Sequence, residues 1–278
     1  MIPIILLLDT ISYQQCHNMN EKTFVDQLKR EVFISDKPKR IISLVPSITD
    51  FLHHLNLDEE VVGITKFCVL PEIWYANKQR IGGTKTINLD IIDMLNPDLI
   101  IGNKEENTKE DINKLSQKYP VWMSDVNSFE DAIDMILELG KVLRKKNECS
   151  LLVNSISTSF KQIMDIGRSK SVLYLIWHKP DYVVGSLTYI DSIIHKLGFV
   201  NHCQQERYPI LEEVSLESPD YVFLSSEPFP FSRRHKQYFQ NKFPNSKIIF
   251  VKGEVFSWYG SYMLNALEYV KSHIKPSL

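Results

Sequence analysis

Short apolar runs alternate with amphipathic stretches along the first half of the chain, and this alternation predicts strands followed by helices. The strands are predicted at residues 39–45, 60–67, 98–102 and 120–126, with helices between them at 48–57, 88–95 and 108–118. The run DLIIG has no polar face, which is typical of parallel sheets covered by helices on both sides. The spacing therefore indicates βαβ units. A β-hairpin is predicted ahead of them at 23–34, and Ser47 or Thr49 is predicted to cap the first helix.

Residues 128–166 have a different pattern, with no proline and a single glycine, and two helices are predicted there, the second of them long. A second series of strands and helices follows. Its strands are predicted at 170–177, 220–225 and 247–253, and its helices at 189–199, 211–218, 233–243 and 261–274. The predicted division is a leader or disordered segment at 1–22, an N-terminal α/β lobe at 23–143, a connecting helix at 144–166 and a C-terminal α/β lobe at 167–278.

One local pattern occurs in both halves, because NPDLIIG in the first returns as SPDYVFLS in the second, offset by 122 residues. The offset pairs Asp98 with Asp220 and Asp90 with Glu212. Any two βα units share some features, so chance similarity is the alternative. We predict a structural duplication. The fold class is then α/β: two similar Rossmann-like lobes with mainly parallel sheets, joined by one long α-helix, with a ligand cleft between them.

The composition is that of a globular protein, and it argues against several functional classes. Of the 278 residues, 44% are hydrophobic and 24% are charged, and the formal net charge of −2 argues against a nucleic-acid surface. The four cysteines are far apart and form no CxxC pair, so no zinc or iron–sulfur framework is predicted. The sequence has no run of about 18 apolar residues that would mark a spanning helix.

The first residues make a poor export signal. The apolar run covers residues 2–8, Asp9 ends it, and no basic residue precedes it. Cys16 follows SYQQ, which lacks the small residues of a lipidation site, and Met19 is an alternative start. A cytoplasmic location therefore stays open beside export.

An ordered series of segments resembles one known family. The segments are PKRIISLVPSITDFLHHLNL, VVGITKF, RIGGTKTINLDIIDMLNPDLIIGNKEEN, YLIW, VVGSLTYIDSIIHKLGF, SSEPFPF and GEVFSWYGSYML. They follow one another as in the helical-backbone substrate-binding proteins of ABC importers, from about residue 23 to the C-terminus. The resemblance implies a monomeric receptor without cofactor or catalysis, periplasmic or membrane-anchored. Its ligand would be cobalamin or another corrinoid, a ferric siderophore or heme.

The resemblance also implies a partner, the permease dimer of an ABC importer. In the family one acidic residue of each lobe docks on a basic pocket of the permease, and these positions fall on Asp90 and Glu212. The repeat pairs the same two residues, which suits a symmetric partner. The alternative is that both are ordinary solvated acids that favour the dipole at a helix start.

Candidate cleft residues follow the predicted strands, because open α/β sheets bind ligands at the carboxyl ends of their strands. The predicted ligand-binding residues are Lys66, Phe67, Cys68, Thr84, Lys85, Asn103, Glu105, Glu106, Trp177, Tyr189, Glu227, Phe229, Phe256, Ser257, Trp258 and Tyr259. The aromatic members are predicted to form flat walls for a macrocycle, with a core role as the alternative. Glu105 and Glu106 are predicted to accept hydrogen bonds from ligand amides.

Basic loop residues and one histidine form a second group of candidates. The cations suited to an anionic ligand are Lys66, Lys85, Lys104, Lys179, Arg233 and Arg234, with loop solubility as the alternative. His178 is a candidate for a metal centre, but it has no evident partner in sequence, so no metal ligand is predicted.

Three positions depart from the cobalamin-binding members of the family. Two cleft tryptophans of those proteins fall on Thr84 and Asn103, and a tyrosine falls on Phe67. The departures leave a smaller or more polar ligand open. A two-lobed α/β enzyme such as a sugar transferase is the alternative of another class. GGTK and EEN are its only hints, and GxSxG, P-loop and HExxH motifs are absent. A cytosolic carrier of a corrinoid or metal chelate is the third hypothesis.

Overall fold

A computed structural model describes residues 21–213 and 217–278. Its first half contains the strands β1 (Glu21–Val25), β2 (Glu31–Ser35), β3 (Ile41–Ser43), β4 (Val61–Ile64), β5 (Gln79–Arg80), β6 (Gly82–Gly83), β7 (Thr86–Ile87), β8 (Leu99–Asn103) and β9 (Val121–Ser124). The helices of this half are α1 (Pro46–His54), α2 (Glu72–Asn77), α3 (Leu89–Leu95), α4 (Lys109–Ser116) and α5 (Phe129–Val142). Helix α6 (Lys146–Lys161) leads into the second half.

The second half repeats the alternation of strand and helix. Its strands are β10 (Ser171–Trp177), β11 (Tyr182–Val183), β12 (Val200–Asn201), β13 (Tyr221–Ser225) and β14 (Lys247–Val251). Its α-helices are α7 (Tyr189–Lys196), α8 (Arg233–Lys242), α9 (Gly253–Ser257) and α10 (Ala266–Tyr269). Short 3₁₀ segments lie at Leu211–Glu213, Gly260–Asn265 and Lys275–Ser277, and a π-helical segment lies at Val270–Ile274. No helix within 21–213 or 217–278 combines the length and apolar character needed to cross a membrane.

The N-terminal sheet is parallel and has the order β5-β4-β3-β8-β9. Ile41 of β3 lies opposite Val61 on one side and Leu99 on the other. Strand β8 is buried along its whole length, which confirms the prediction from its apolar run. The chain reverses its direction of progress between β3 and β8, so a topological switch point lies at their carboxyl ends. The predicted hairpin ahead of the sheet is confirmed, because β1 pairs with β2 antiparallel.

The C-terminal sheet has the order β11-β10-β13-β14, with β12 also paired to β10. Strands β10, β12, β13 and β14 are parallel, and β11 alone of the described strands in this sheet runs antiparallel. The progress of the chain reverses between β10 and β13. The second half therefore has its own switch point, and each lobe offers loops at the carboxyl ends of its central strands.

The two halves share the predicted repeat. Strands β8 and β13 are offset by 122 residues at both ends. In the first half, the Asp98 carboxylate accepts hydrogen bonds from the N–H groups of Lys39 (2.7 Å) and Arg40 (2.8 Å), just before β3. In the second half, Asp220 accepts one from the N–H group of Ser171 (2.8 Å) at the start of β10. The Pro-Asp motif thus ties the same two strands together in both lobes.

Helices α5 and α6, which follow the N-terminal sheet in the chain and precede the C-terminal sheet, pack on one another. Gly140 of α5 permits their close approach, because a Cβ at this position would lie 2.9 Å from the Cβ of Cys149. One hydrophobic core extends through both halves, from Val32 in β2 to Ile274 near the C-terminus. A smaller cluster, which includes Leu173, fills the face of the C-terminal sheet under α8.

Several local predictions are wrong. Helix α1 has Val45 as its N-cap and Pro46 at its first turn, while the Thr49 hydroxyl donates to the Val45 carbonyl instead of capping. The predicted helix at 211–218 begins as a 3₁₀ turn, residues 214–216 lie outside the described residues, and 217–218 are not helical. The predicted C-terminal helix is broken into 3₁₀, α and π segments. Strand β1 includes the last two residues of the predicted leader, whose other twenty residues lie outside the described ranges.

Candidate ligand cleft

The lobes meet at a base formed by the segment that follows α9. The Ser261 hydroxyl donates to Asp50 of α1 at 2.5 Å. Gly260 has a φ of 87°, and a Cβ there would lie 3.0 Å from the Cβ of Phe51, so glycine suits both the backbone and the contact. On the other side, the N–H of Phe129 donates to the Ser192 hydroxyl at 2.8 Å. These contacts fix the floor of the space between the lobes.

The N-terminal switch point presents two carboxylates at the end of β8. The Asn103 side-chain oxygen accepts hydrogen bonds from the N–H groups of Glu105 (2.8 Å) and Glu106 (3.2 Å). Its amide nitrogen donates to the Ser124 hydroxyl at 3.0 Å. These hydrogen bonds position the loop that carries the two glutamates. Asn103 itself is buried, so it has little surface for ligand contact.

The C-terminal switch point presents a third carboxylate, that of Glu227 after β13. The Ser257 hydroxyl of α9 donates to its Oε1 at 2.6 Å. The pKa of Glu227 is raised to about 7, chiefly by burial and also by the nearby carboxylates of Glu254 and Glu106, while the Ser257 hydrogen bond opposes the shift. A carboxyl with this pKa exchanges its proton close to neutral pH.

Glu106 connects the two lobes electrostatically. Its side chain is exposed, yet burial by surrounding protein raises its pKa, and the Lys85 ammonium opposes that rise. In a narrow cleft, solvent reaches a side chain although protein atoms surround it, as seen for Glu106. Burial raises the pKa values of Tyr208 and Tyr259 in the other lobe, and the charge of Glu106 adds to both shifts. Glu106, Glu227, Tyr208 and Tyr259 therefore share one space, which we call the acidic seam.

Arg207 spans the opening of the acidic seam. Its guanidinium forms an ion pair with Glu105 and donates to Asn127 at 2.9 Å, both in the N-terminal lobe. The same guanidinium donates to the carbonyl of Leu187 at 2.6 Å in its own lobe. Arg207 has a φ of 65°, an uncommon conformation for a residue other than glycine. One side chain thus links both lobes at the cleft.

The structure brings together part of the predicted set. Glu105, Glu106, Glu227 and Ser257 border the acidic seam, and Lys85 faces Glu106. Other members line the neighbouring surface of the N-terminal lobe. Lys66 and the half-exposed Phe67 lie against Gly83, and Thr84 accepts a hydrogen bond from Asn107 through its carbonyl oxygen.

Two predicted residues do not reach the cleft. The Cys68 side chain is fully buried, where its sulfur lies 3.0 Å from the Thr49 hydroxyl and 3.1 Å from the Thr65 hydroxyl. Phe256 is also fully buried, with its ring centroid 5.3 Å from that of Tyr174. Both predictions took position after a strand as sufficient, but each side chain points back into the core.

The remaining predicted aromatic residues fall into two places. Tyr189 and Tyr259 are buried edge to face with centroids 5.7 Å apart, and Trp258 packs on Tyr262, so these rings form a floor and no flat wall. The ring centroids of Trp177 and Phe229 lie 5.7 Å apart, beside His178 at the end of the C-terminal sheet.

Sequence reasoning missed Arg207 and Tyr208. Both lie in the loop after β12, a strand of two residues that gives no periodic signal. The local run ERYP, with charged and aromatic residues ahead of a proline, was the available sign of a ligand loop.

His178 has a partner that the sequence did not reveal. Its Nδ1 lies 2.6 Å from the buried Asp181 carboxylate. Over the residues that the structure describes, no three His, Cys, Asp or Glu side chains gather as metal ligands would. The arrangement is a His–Asp pair.

The two predicted docking residues are both on the surface. Asp90 is exposed in the first turn of α3 and has no ion-pair partner among residues 21–213 and 217–278. Glu212 is exposed in its 3₁₀ turn and forms an ion pair of 2.9 Å with Lys242, whose hydrogen bond lowers the pKa of the glutamate.

Two doubly wound lobes with facing switch points define a two-lobed binding-protein fold. The comparisons agree: residues 41–246 match the periplasmic binding protein family, and the chain belongs to that family. It is 27% identical to an uncharacterized ABC transporter substrate-binding lipoprotein of Bacillus subtilis over 64% of this chain and 60% of the relative. It is 23% identical to the Fe(3+)-citrate-binding protein of the same organism over 69% and 65%, so each match spans less than two thirds of the relative.

A vitamin B12-binding protein of Vibrio vulnificus is 30% identical over 37% of this chain and 38% of its own. Two solved structures show the same fold at 20% identity. The vitamin B12-binding protein of Vibrio cholerae has a TM-score of 0.66, with 86% of this chain and 98% of that chain covered. The petrobactin-binding protein of Bacillus subtilis has a TM-score of 0.74, with 90% and 97% covered.

Proposed function

We propose that this protein is the substrate-binding component of an ABC importer and that it holds a corrinoid or a metal chelate in the acidic seam. The observation on which the proposal rests is the meeting of the two switch points. Glu105 and Glu106 approach from one lobe, and Glu227 and Arg207 approach from the other. Membership of a family of binding proteins supports capture over catalysis, and the relatives named for vitamin B12 and ferric citrate support the ligand class.

The charges of the seam favour a corrinoid over an anionic chelate. Arg207 pairs with Glu105, which leaves Glu106 and Glu227 opposed only by Lys85 among the cations named at the seam. Carboxylates accept hydrogen bonds from amides and repel negative charge. A corrinoid carries amide donors around its ring, whereas ferric citrate is a carboxylate complex. The proposed ligand is therefore neutral or cationic and rich in hydrogen-bond donors.

Equilibrium dialysis against cobalamin, cobinamide, heme, ferric citrate and a ferric siderophore tests this assignment. We expect a corrinoid to bind with a Kd of about 1 µM or below. Because each carboxylate accepts a hydrogen bond from the ligand, Glu106→Gln and Glu227→Gln should each weaken binding about tenfold. Glu110→Gln, an exposed change on α4, is the matched control.

Two results separate the parts of the proposal. Binding of ferric citrate or the siderophore alone would keep the receptor and reject the corrinoid. Retention of none of the five compounds would reject the ligand class. Turnover of a nucleotide sugar would instead favour the two-lobed enzyme.

The proposal includes docking on a permease through Asp90 and Glu212, with the protein in the periplasm or anchored to the membrane. Replacing both acids with lysine should leave ligand affinity unchanged, because neither residue borders the seam. Uptake by cells should fall strongly, since like charges would then face each other across the interface. The control is Glu72→Lys with Glu268→Lys, two other exposed acids. Uptake at the normal rate in the Asp90 and Glu212 double variant would reject the docking assignment.

A further inference from the structure

A surface pocket of about 480 Å³ lies at the end of the C-terminal sheet. Its lining residues are His178, Lys179, Phe229, Arg234, His235 and Tyr238. They come from the carboxyl ends of β10 and β13 and from the first two turns of α8. Phe229 was predicted to bind ligand, and Lys179 and Arg234 were candidate cations for an anionic ligand, whereas His235 and Tyr238 were not singled out from the sequence. Glu227 accepts a hydrogen bond from Ser257 of α9. Helices α9 and α8 pack on opposite faces of this sheet.

The pocket is rich in positive charge that no carboxylate neutralises. Lys179 and Arg234 are exposed and have no ion-pair partner within residues 21–213 or 217–278. The first turn of α8 contains no acidic residue, so no carboxylate there opposes the positive end of the helix dipole. Two acids lie nearby. Asp181 is buried and already bound to His178 at 2.6 Å, with Lys242 at 3.9 Å, and Glu212 is paired with Lys242 at 2.9 Å.

His235 shows a conflict between two donors. The N–H of Ser232 donates to His235 Nδ1 at 2.8 Å, so Nδ1 holds a lone pair and the proton of the neutral ring is on Nε2. Burial and the charge of Arg234 lower the pKa of His235, which favours the neutral ring. The Nε of Arg234 nevertheless lies 3.3 Å from Nε2, and both of these nitrogens carry a hydrogen. His235 is only 5% exposed, so its Nε2–H is a buried donor that faces a cation where an acceptor is needed.

We propose that this pocket binds a small oxyanion, a carboxylate or a phosphate, between the Nε2–H of His235 and the guanidinium of Arg234. The oxyanion accepts a hydrogen bond from each donor, and Lys179 adds a third positive contact. Phe229 and Tyr238 flank the same space, and their rings suit a carboxylate with an aromatic body. The site is separate from the acidic seam and does not depend on the ligand bound there.

Isothermal titration at low salt with inorganic phosphate, acetate and benzoate tests the site. We expect saturable binding of one ion per protein, with benzoate tighter than acetate if the carboxylate is the natural group and phosphate tightest if it is not. Arg234→Gln should weaken binding at least tenfold. Arg233→Gln removes the same charge from the neighbouring exposed position, which does not line the pocket, and should bind as the unmodified protein does. Equal weakening in both variants, or no saturable binding of any of the three ions, would overturn the proposal.

The tautomer of His235 gives an independent measurement that does not depend on a variant. Nitrogen NMR of the imidazole should show the proton on Nε2, and addition of the bound anion should shift the Nε2 resonance more than the Nδ1 resonance. A proton on Nδ1 would leave Nε2 free to accept from Arg234 and would remove the argument for an anion.

Discussion

The pKa of the Glu227 carboxyl reflects the position of this side chain between the lobes. Its environment combines burial, a hydrogen bond from Ser257 and two neighbouring carboxylates, and together they raise its pKa from the ordinary range of a glutamate to about 7. The Asn103 side chain has a structural role instead. It is buried, and its hydrogen bonds from the N–H groups of Glu105 and Glu106 fix the direction of those residues. At the residue scale, the site consists of accessible carboxylates that are positioned by buried polar side chains.

Stability should therefore depend on pH through Glu227. Between about pH 4.5 and 7 the folded protein retains a proton that the unfolded chain releases, so the free energy of unfolding should decrease as pH rises through this window. We expect a decrease of about 1–3 kcal/mol, since water still reaches part of the carboxyl. Glu227→Gln should abolish this component in urea unfolding at pH 5 and pH 8. The exposed Glu206→Gln controls for loss of charge, and a Glu227→Gln protein with the unmodified pH dependence would contradict the assignment.

At the scale of elements, the Pro-Asp motif joins two central strands in each lobe. The carboxylates of Asp98 and Asp220 accept hydrogen bonds from the N–H groups that begin β3 and β10. The backbone hydrogen bond from Ser171 is the largest cause that lowers the pKa of Asp220, so its contribution is present above the unfolded pKa and is lost as pH falls through the folded pKa.

Asp98→Ala and Asp220→Ala should each lower the free energy of unfolding by about 1–2 kcal/mol, because strand-end N–H groups lose charged acceptors in a partly exposed setting. Guanidinium unfolding measures the change. Asp134→Ala on α5 removes an exposed aspartate for which no hydrogen bond is seen, and it should cost less than 0.5 kcal/mol by the usual behaviour of surface sites. Similar losses in all three variants would show that the motif has no special role.

The sequence predicted the elements whose pattern depends on local burial and missed those that depend on distant contacts. Strands β8 and β13 have apolar residues on both faces, so their position and their repeat could be found from the sequence alone. Strands β5 and β12 have two residues each and exist because a neighbouring strand pairs with them. The loop with Arg207 follows such a strand, which explains why this part of the site was missed.

The candidate cleft was predicted with similar limits. Position after a strand predicted Glu105, Glu106 and Glu227 as candidates, and the structure places all three at the two switch points. It could not distinguish a side chain that faces the cleft from one that returns to the core, as Cys68 and Phe256 do. Direction after a strand end depends on the turn that follows, and that turn is fixed by partners elsewhere in the chain.

At the scale of the whole molecule, the two lobes share one hydrophobic core. That core includes Ile100 of the N-terminal sheet, Met135 of α5, Ile156 of α6 and Val270 near the C-terminus. Helices α5 and α6 pack against the 3₁₀ segment that follows α9, and this segment also packs on α1. Opening the cleft widely would expose these shared contacts, each buried methylene costing about 0.8 kcal/mol.

If the protein binds its ligand as proposed, it should consequently change shape little on binding. We expect the Cα positions of the free and ligand-bound protein, compared by crystallography, to agree within about 1 Å, the range of pre-organised binding sites. Arg207→Gln should weaken the contact at the cleft opening, because it removes the ion pair with Glu105, and hydrogen exchange in the loop around Asn127 should become faster. The Cα positions of the core should be unchanged in this variant. A Cα difference above about 2 Å on ligand binding would instead indicate lobes that hinge, with the shared core too weak to hold them.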